Sequence, residues 1–135
     1  QRKDRNPLNV VSFGTFDVFH VGHLHLLERA ADLGGRLIVG VSTDDLNIKK
    51  KGREPVFSEN ERMRLLAALR CVDDVFLEVA LEEKRQYLID WNADVLAMGD
   101  DWRGKFDEFS DLCKIVYLPR TPAISTTAVI EKIRY

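Results

Sequence analysis

Two histidines stand at the start of a helical pattern, directly after a short apolar run and a turn. The run covers residues 9–13, Gly14 lets the chain turn sharply, and the sequence His20-x-Gly22-His23 opens the helix. A helix N-terminus presents unpaired N–H groups and a partial positive charge, so it favours phosphate. Two imidazoles at that point can donate further hydrogen bonds to phosphate oxygens. The stretch therefore indicates a binding site for a triphosphate.

The same histidines have two other interpretations, a pair of metal ligands or two polar residues at a turn. The metal interpretation is the weaker one, because neither a Cys nor a third His lies at the spacing of a zinc site. Cys71 and Cys113 are isolated, and His25 points elsewhere on the predicted helix. We therefore assign no metal-ligating residues, while phosphate chemistry and a plain polar turn both stay open at this point.

A second anion-binding pattern lies near the end of the chain. Arg120 offers a planar guanidinium fork, and Ser125, Thr126 and Thr127 place hydroxyl groups at a helix start shortly after it. The three hydroxyl residues alone are typical of an ordinary N-cap. The arginine upstream of them favours an anion site instead, because backbone N–H groups at the helix start point the same way.

Positive charge is concentrated between residues 47 and 55, where Lys49, Lys50, Lys51 and Arg53 occur. The segment lacks apolar periodicity and contains a glycine and a proline, so we predict a mobile loop. Such a cluster is usually a solvated surface. It gains interest here because the chain already offers a binding site for phosphate.

Short β-type runs alternate with helical patterns along the chain. Residues 36–42 form a nearly continuous apolar run, as in a parallel strand covered on both faces. Further strands are predicted around residues 72–76, 94–98 and 115–118, and a capping box predicts a helix start at Ser58. The alternation predicts the α/β class, a single Rossmann-like, doubly wound parallel sheet of about five strands flanked by helices. Ligands of such sheets bind beyond the carboxyl ends of the strands, where the strand order reverses.

Length and composition bound the class of protein. The 135 residues suffice for one domain, which we place at residues 9–135 after a polar lead or linker at residues 1–8. The net charge of −2 gives no basic field for nucleic acid. We find no signal peptide or apolar run of membrane-spanning length, and we expect a cytoplasmic protein with reduced cysteines. Because the chain begins at Gln1 rather than Met, we expect a fragment of a longer protein or a trimmed chain.

Taken together, the motifs resemble the His-x-Gly-His type of nucleotidyltransferase, in its cytidylyltransferase branch. The residues that carry the resemblance are Gly14-Thr15-Phe16-Asp17, His20-Val21-Gly22-His23 and Arg120-Thr121-x-x-Ile124-Ser125-Thr126-Thr127. The stretches 98–107 and 116–121 are similar to those of bacterial glycerol-3-phosphate cytidylyltransferases, and the likeness extends over nearly all of residues 9 to 134.

The resemblance implies a nucleotidyl transfer. An alcohol phosphate, sn-glycerol 3-phosphate in the first instance, would attack the α-phosphorus of CTP and give CDP-glycerol and pyrophosphate. It also implies Mg²⁺ as the cofactor, a homodimer as the assembly, and a teichoic-acid-like or capsular polymer as the destination of the product. No nucleic acid and no membrane span are expected.

The resemblance further implies roles for individual residues. It makes four residues catalytic, namely His20, His23, Lys50 and Arg120. It assigns the nucleotide to Thr15, Phe16, Asp17, Gly22, Asp101, Arg120, Ile124, Ser125 and Thr126. It assigns the acceptor phosphate to Arg62, Arg70 and Lys84, each of which is also readily explained as a surface charge.

Departures from the family pattern leave the acceptor open. Pro122-Ala123 stands where the family usually has Glu-Gly, and residues 57–62 also resemble choline-phosphate cytidylyltransferases. Phosphocholine, phosphoethanolamine or another polyol phosphate is therefore an alternative acceptor. A quaternary ammonium group needs an aromatic cage, and the sequence shows no aromatic cluster to build one.

Two further alternatives concern the activity itself. An adenylyltransferase of the same superfamily is disfavoured, because the motif Arg-Thr-x-x-Ile-Ser-Thr-Thr favours cytidine. A non-catalytic CTP-binding module of a longer protein belongs to a different class, and the presence of His20, His23, Lys50 and Arg120 argues against it.

Overall fold

The computed structural model describes residues 6–120 and 125–134. Within these residues the strands are β1 (Asn9–Gly14), β2 (Arg36–Ser42), β3 (Asp74–Glu78), β4 (Val95–Gly99) and β5 (Lys114–Leu118). The α-helices are α1 (Val21–Ala31), α2 (Asp44–Lys51), α3 (Glu59–Ala67), α4 (Lys84–Asp90) and α5 (Thr126–Arg134). Short 3₁₀ turns at Leu81–Glu83, Asp100–Trp102 and Asp107–Phe109 complete the described part of the chain.

The strands form one parallel sheet in the order β3-β2-β1-β4-β5. The strand β1 lies at the centre, and its residues Asn9 to Gly14 pair in register with Arg36 to Val41 of β2. From β1 the chain winds outward first through β2 and β3 and then, on the other side, through β4 and β5. The predicted α/β class and doubly wound sheet are thus confirmed.

Both faces of the sheet are buried, which explains the continuous apolar runs of the strands. One core cluster contains Val10, Leu37 and Val39 and packs against Leu27 of α1. The other contains Val11 and Ile38 on the opposite face of the same strands, together with residues of α4. Among the described residues, no helix is long and apolar enough to cross a membrane.

The prediction of a mobile loop for residues 47–55 is wrong over its first half, which belongs to the helix α2. Thr43 caps the helix, because its side chain accepts a hydrogen bond from the backbone N–H of Leu46 at 3.1 Å. Asp44 lies in the first turn and the lysines in the last turn, so both complement the helix dipole. Gly52 ends the helix in the left-handed region with φ 75°. Capping and charge order override the weak apolar periodicity.

The helix start predicted at Ser58 is confirmed. Ser58 accepts a hydrogen bond from the backbone of Glu61, and the Glu61 carboxylate accepts one from the backbone of Ser58, which forms the expected capping box. The first strand begins at Asn9, where the predicted domain begins. The predicted domain limits themselves stay predictions.

Candidate active site

The strand order reverses between β1 and β4, which lie side by side but are far apart in sequence. The carboxyl end of β1 leads into residues 14–23, which we name the histidine turn. The carboxyl end of β4 leads into the 3₁₀ turn that contains Asp101. Open parallel sheets bind their ligands at such a reversal point. The fold therefore brings the first and fourth strand ends to one place, as predicted.

The two histidines of this turn form a stacked pair at the N-terminus of α1. Their ring centroids are 3.8 Å apart with an angle of 21° between the planes. The Nδ1 atom of His20 accepts a hydrogen bond from the backbone N–H of Gly22 at 3.1 Å. The Nδ1 atom of His23 accepts one from the backbone N–H of His20 at 3.2 Å. The pair thus forms a capping box made of imidazoles.

These hydrogen bonds select one tautomer for each ring. A neutral imidazole whose Nδ1 accepts must carry its proton on Nε2. Both histidines therefore carry an N–H group at Nε2. The Nε2 atom of His20 is buried and has no hydrogen-bond partner among the described residues, so the protein leaves this donor unused.

The surroundings keep both imidazoles neutral. The pKa of His23 is lowered to about 4, chiefly by burial and also by the nearby His20, while Asp17 acts in the opposite direction. Burial also lowers the pKa of His20. Near pH 7 the pair consequently offers neutral N–H donors, and the positive field of the site must come from other groups.

The backbone of the histidine turn is held in an uncommon conformation. Phe16 has φ 53° and Val18 has φ 46°, values that L residues adopt only where the surroundings enforce them. The Phe16 ring is buried and meets the His23 ring edge to face at 5.5 Å. The Asp17 carboxylate accepts the backbone N–H groups of Val56 at 2.7 Å and Phe57 at 2.9 Å. Asp17 thus fastens the turn to the segment before α3.

Thr15 is linked to α2 through a buried polar network. Its hydroxyl donates to Oδ1 of Asn47 at 2.9 Å and lies 3.1 Å from Oγ of Ser42. The amide group of Asn47 donates in turn to the Ser42 and Thr43 carbonyls at 3.3 and 2.9 Å. Asn47 was missed in the sequence, although an uncharged polar residue between the apolar Leu46 and Ile48 was the available signal.

Arg62 lies beneath the site, with an exposed fraction of 0%. Its guanidinium donates to the carbonyls of Thr15 at 3.0 Å, Ser42 at 2.8 Å and Phe57 at 3.0 Å. It also forms an ion pair of 2.7 Å with Asp44. Most of its donors are therefore engaged by the protein, and the geometry favours a role in holding the histidine turn against β2 and α3.

Lys50 and Lys84 both interact electrostatically with one carboxylate, that of Glu78. The pKa of Lys50 is lowered chiefly by burial, while the charge of Glu78 raises it and those of Lys51, Lys84 and Arg62 lower it. Lys84 is buried and forms an ion pair with the equally buried Glu78. The prediction had no signal for Glu78, because a single acidic residue at a strand end looks like a surface charge.

Two aromatic rings lie against the Lys84 ammonium, in a cluster that the sequence did not show. Nζ of Lys84 lies 4.2 Å from the ring centroid of Phe13 and 5.6 Å from that of Phe106. Phe13 also meets Phe76 at 5.8 Å and Tyr87 at 6.3 Å. These rings are separated in sequence and meet only in the folded chain. The cluster already holds a cation of the protein itself.

The connection after β5 contains Pro119 and Arg120, and the helix α5 follows it. Arg120 forms an exposed ion pair of 3.3 Å with Asp101. Arg29 of α1 donates to the Pro119 carbonyl at 2.8 Å and thereby links this connection to α1. Arg120 and Asp101, which are both predicted to bind the nucleotide, thus contact one another.

The start of α5 also reaches the histidine turn. Thr126 donates its hydroxyl to the Asp17 carbonyl at 2.9 Å, and Ser125 caps the helix by accepting the N–H of Ala128 at 3.1 Å. The predicted nucleotide-binding residue Ile124 lies outside the described residues.

Arg70 is the predicted site residue that the structure does not bring to the histidines. It is exposed and lies shortly after the end of α3. Three residues later, the backbone N–H of Asp73 donates to the Leu37 carbonyl near the start of β2. There Arg70 lines an open groove of about 650 Å³ with Glu28 of α1 and with Asp32, which follows that helix. This groove lies toward the amino ends of the strands.

The described residues contain no group of three His, Cys, Asp or Glu side chains that could hold a metal ion. Carboxylates at the site are already engaged, since Asp17 accepts two backbone N–H groups and Asp101 contacts Arg120. A divalent cation would accordingly have to bring most of its ligands with the substrate, as Mg²⁺ does in nucleotide sites.

Comparisons with known proteins identify the family of this chain. A family model described as Cytidylyltransferase-like matches residues 11–132. The glycerol-3-phosphate cytidylyltransferase of Bacillus subtilis (strain 168) is 49% identical over 124 residues, which cover 92% of this chain and 95% of the relative. The FAD synthase of Thermococcus onnurineus (strain NA1) is 31% identical, over 98% of this chain and 95% of the relative.

Among solved structures, the lipopolysaccharide core biosynthesis protein from Thermoplasma volcanium GSS1 superposes with a TM-score of 0.71. It is 27% identical, and the match covers 84% of this chain and 98% of that chain. The structural likeness supports the Rossmann-like fold, while the family model and the sequence relatives confirm the family suggested by the paired motifs. This chain belongs to the cytidylyltransferase-like family.

Proposed function

We propose that the protein transfers a cytidylyl group from CTP to sn-glycerol 3-phosphate and releases CDP-glycerol and pyrophosphate. The observation that carries the proposal is the stacked histidine pair, whose Nδ1 atoms are bound by the turn itself and whose Nε2–H groups remain for phosphate oxygens. The choice of acceptor is supported by the relative named glycerol-3-phosphate cytidylyltransferase, which is 49% identical over nearly its whole length.

In the reaction, a phosphate oxygen of the acceptor attacks the α-phosphorus of CTP. The new P–O bond forms as the bond to the bridging β-phosphate oxygen breaks, and pyrophosphate leaves with that electron pair. A phosphate monoester is already an anionic nucleophile near pH 7, so no strong general base is needed. Catalysis then consists of aligning two anions and stabilising the charge that spreads over the transferring group.

The histidine pair is suited to this task because it is neutral and fixed. Nε2–H donors of His20 and His23 would bind oxygens of the triphosphate and of the transition state. Preorganised donors of this kind cost no reorganisation during the reaction. A depressed pKa also keeps His23 from titrating near pH 7.

Cations around the pair supply the charge that neutral imidazoles lack. Lys50 of α2 would bind the triphosphate, and Arg120 with Ser125 and Thr126 would hold its β- and γ-phosphates. Because Arg120 contacts Asp101 at 3.3 Å, it would exchange this carboxylate for phosphate when CTP binds. That exchange would release Asp101 to meet the cytidine.

Thr15, Asp17 and Arg62 support the site from below. Their hydrogen bonds hold the histidine turn to α2, to the segment before α3 and to β2. We assign the acceptor phosphate to Lys84, whose ammonium lies near Lys50. The prediction for Arg62 at the acceptor is replaced here by a positioning role.

Mg²⁺ fits the proposed site as a partner of the triphosphate. When bound, it would neutralise part of the charge on the phosphates. Because Asp17 already accepts two backbone N–H groups, the phosphate oxygens of CTP would supply most of the ligands of the ion. Loss of activity on chelation, restored by added Mg²⁺, is the result that this assignment requires.

A homodimer working in the cytoplasm is also part of the proposal. The resemblance supports the dimer, and the water-soluble substrates support the cytoplasmic location. Sedimentation velocity of the purified chain would give the mass of the assembly.

The aromatic cluster bears on the choice between acceptors. A quaternary ammonium would need the faces of Phe13 and Phe106, but Lys84 already lies against both rings. Phosphocholine is therefore disfavoured relative to the phosphate of a polyol, whose alcohol part carries no charge.

The proposal is tested by measuring pyrophosphate release with Mg²⁺ and CTP against sn-glycerol 3-phosphate, phosphocholine, phosphoethanolamine and other polyol phosphates. We expect release with sn-glycerol 3-phosphate well above all other acceptors. ATP with FMN forms a separate arm, because a relative is named FAD synthase. Release in that arm alone would replace the proposed reaction, and CTP binding without release in any arm would leave only a binding module.

A further inference from the structure

Glu78 is a buried carboxylate to which the proposed reaction gives no role. It is the last residue of β3 and is 1% exposed. Its carbonyl accepts the N–H of Thr43 at 3.0 Å, and the next residue, Val79, donates its N–H to the hydroxyl of Tyr87 at 3.0 Å. The strand end is thus fixed to the start of α2 on one side and to α4 on the other.

The Glu78 side chain forms an ion pair with Lys84, which is 6% exposed. Nζ of Lys84 also lies against the rings of Phe13 and Phe106. Removing two charges from water costs about as much as their attraction returns, so a buried pair is weak evidence for stability by itself. Well-packed apolar residues would fill this space at a lower cost. The pair therefore calls for an explanation other than stability.

The same carboxylate acts on Lys50, the lysine proposed for the triphosphate. Lys50 is subject to the negative charge of Glu78 and to the positive charges of Lys84 and Arg62. Glu78 therefore lies within electrostatic reach of a lysine from α2 and a lysine from α4. These are the lysines proposed for the two substrates, one for each.

Two polyanions must approach each other in this reaction, and a misplaced cation would pair with the wrong phosphate. Lysine side chains are long and flexible, so a fixed partner is needed to hold an ammonium in one place. We infer that Glu78 is a positioning residue, which holds the Lys84 ammonium where it meets the acceptor phosphate. The inference rests on the proposed function.

The test separates the acceptor from the nucleotide. Michaelis constants for sn-glycerol 3-phosphate and for CTP are measured for the wild type, Glu78→Gln, Lys84→Gln and the double variant. We expect Glu78→Gln to raise the constant for the acceptor about tenfold and to change that for CTP less than about twofold. A residue that merely supports the fold would affect both constants or neither.

The double variant tests whether Glu78 acts through Lys84. If it does, the effects are not additive, and the double variant has the same acceptor constant as Lys84→Gln alone. If instead the two substitutions multiply their effects, the acceptor constant of the double variant exceeds that of Lys84→Gln alone. That result would overturn the inference, since it would mean that Glu78 acts by another route. The matched control is Glu83→Gln, which removes an exposed acid next to Lys84 in sequence and should behave as the wild type.

Thermal unfolding monitors whether each variant folds. If Glu78→Gln does not fold, Glu78→Asp takes its place, because aspartate keeps the charge but has a side chain shorter by one methylene group. We then expect a smaller rise in the acceptor constant. An unchanged acceptor constant in a folded variant would overturn the inference while leaving the proposed function intact. A wild type that releases no pyrophosphate would refute the proposed function, and the inference with it.

Discussion

The histidine turn and the connection that carries Arg120 are both suited to bind phosphate, but they are built in opposite ways. In the histidine turn the donors are neutral, and hydrogen bonds within the turn hold them in place. In the connection the donor is a charged guanidinium, 53% exposed and paired with Asp101, itself 61% exposed. The first region is complete before the substrate arrives, and the second must exchange partners.

The difference indicates that the histidine turn serves catalysis and the connection serves binding. A neutral donor costs less to bury than a charged one, so it can be placed next to the reacting phosphorus. An exposed cation attracts the polyanion from a distance and adjusts to it, but a surface ion pair contributes little to stability. Catalytic effects should therefore concentrate in the histidine turn and binding effects in the connection.

The largest effect is expected for His23→Ala. Removing one positioned donor to a transition state typically lowers kcat about a hundredfold to a thousandfold. The loss of the capping interaction should cost only about 1 kcal/mol, so the variant should remain folded. Steady-state pyrophosphate release and circular dichroism measure the two quantities.

The matched control for that prediction is His25→Ala, which shortens a histidine on the same helix and should retain kcat. Near-normal turnover by a folded His23→Ala variant would contradict the assignment of the catalytic donors.

Arg62→Met should have the next largest effect, on stability. The substitution leaves Asp44 and three backbone carbonyls without their buried donor. Breaking such a network costs roughly 3 kcal/mol or more, which denaturant unfolding would detect.

Arg64→Met on the same helix is the control, because its side chain is exposed. If Arg62→Met is as stable as Arg64→Met, then Arg62 is not the support that the structure indicates.

Arg120→Gln should act mainly on nucleotide binding. Loss of one charged contact to the triphosphate should raise the Michaelis constant for CTP about tenfold. The free energy of unfolding should stay nearly unchanged, because the ion pair with Asp101 is exposed.

The exposed Arg103→Gln, two residues after Asp101, serves as the control. A fall in kcat as large as that of His23→Ala, with an unchanged constant for CTP, would reverse the comparison between the two regions.

The smallest effect concerns pH. His23 titrates near pH 4 in the folded protein, below the value of 6.5 for a free histidine. Between these values the unfolded chain binds a proton that the folded chain does not. The stability contributed by neutral His23 is thus complete above about pH 6.5 and is lost as the pH falls toward 4.

We expect the free energy of unfolding to decline over this window, and to decline less steeply in His23→Ala. Denaturant unfolding at a series of pH values would measure both slopes. Equal slopes would mean that His23 is not the group responsible.

Much of the histidine turn could be predicted from the sequence because its parts are contiguous. An apolar run, Gly14 and the two histidines stand in order, and local hydrogen bonds finish the structure. The doubly wound sheet was equally accessible, since buried parallel strands are continuously apolar.

Interactions across the fold were not predictable in this way. Whether Arg62 meets carbonyl oxygens or solvent depends on how α3 packs against β2 and β3. Glu78 and Lys84 look like surface charges until Phe13 and Phe106, far apart in sequence, enclose the ammonium. Lys50 lies on a helix because the caps at both ends of α2 outweigh its weak apolar periodicity.

The central claim is that two neutral imidazoles, protonated at Nε2, form the catalytic part of the site. Nitrogen-15 NMR of the histidine side chains near pH 7 tests it directly, because ring nitrogen shifts distinguish the tautomers from the imidazolium. The account predicts that both His20 and His23 are neutral, with the proton on Nε2. An imidazolium, or a proton on Nδ1, at either residue would contradict it.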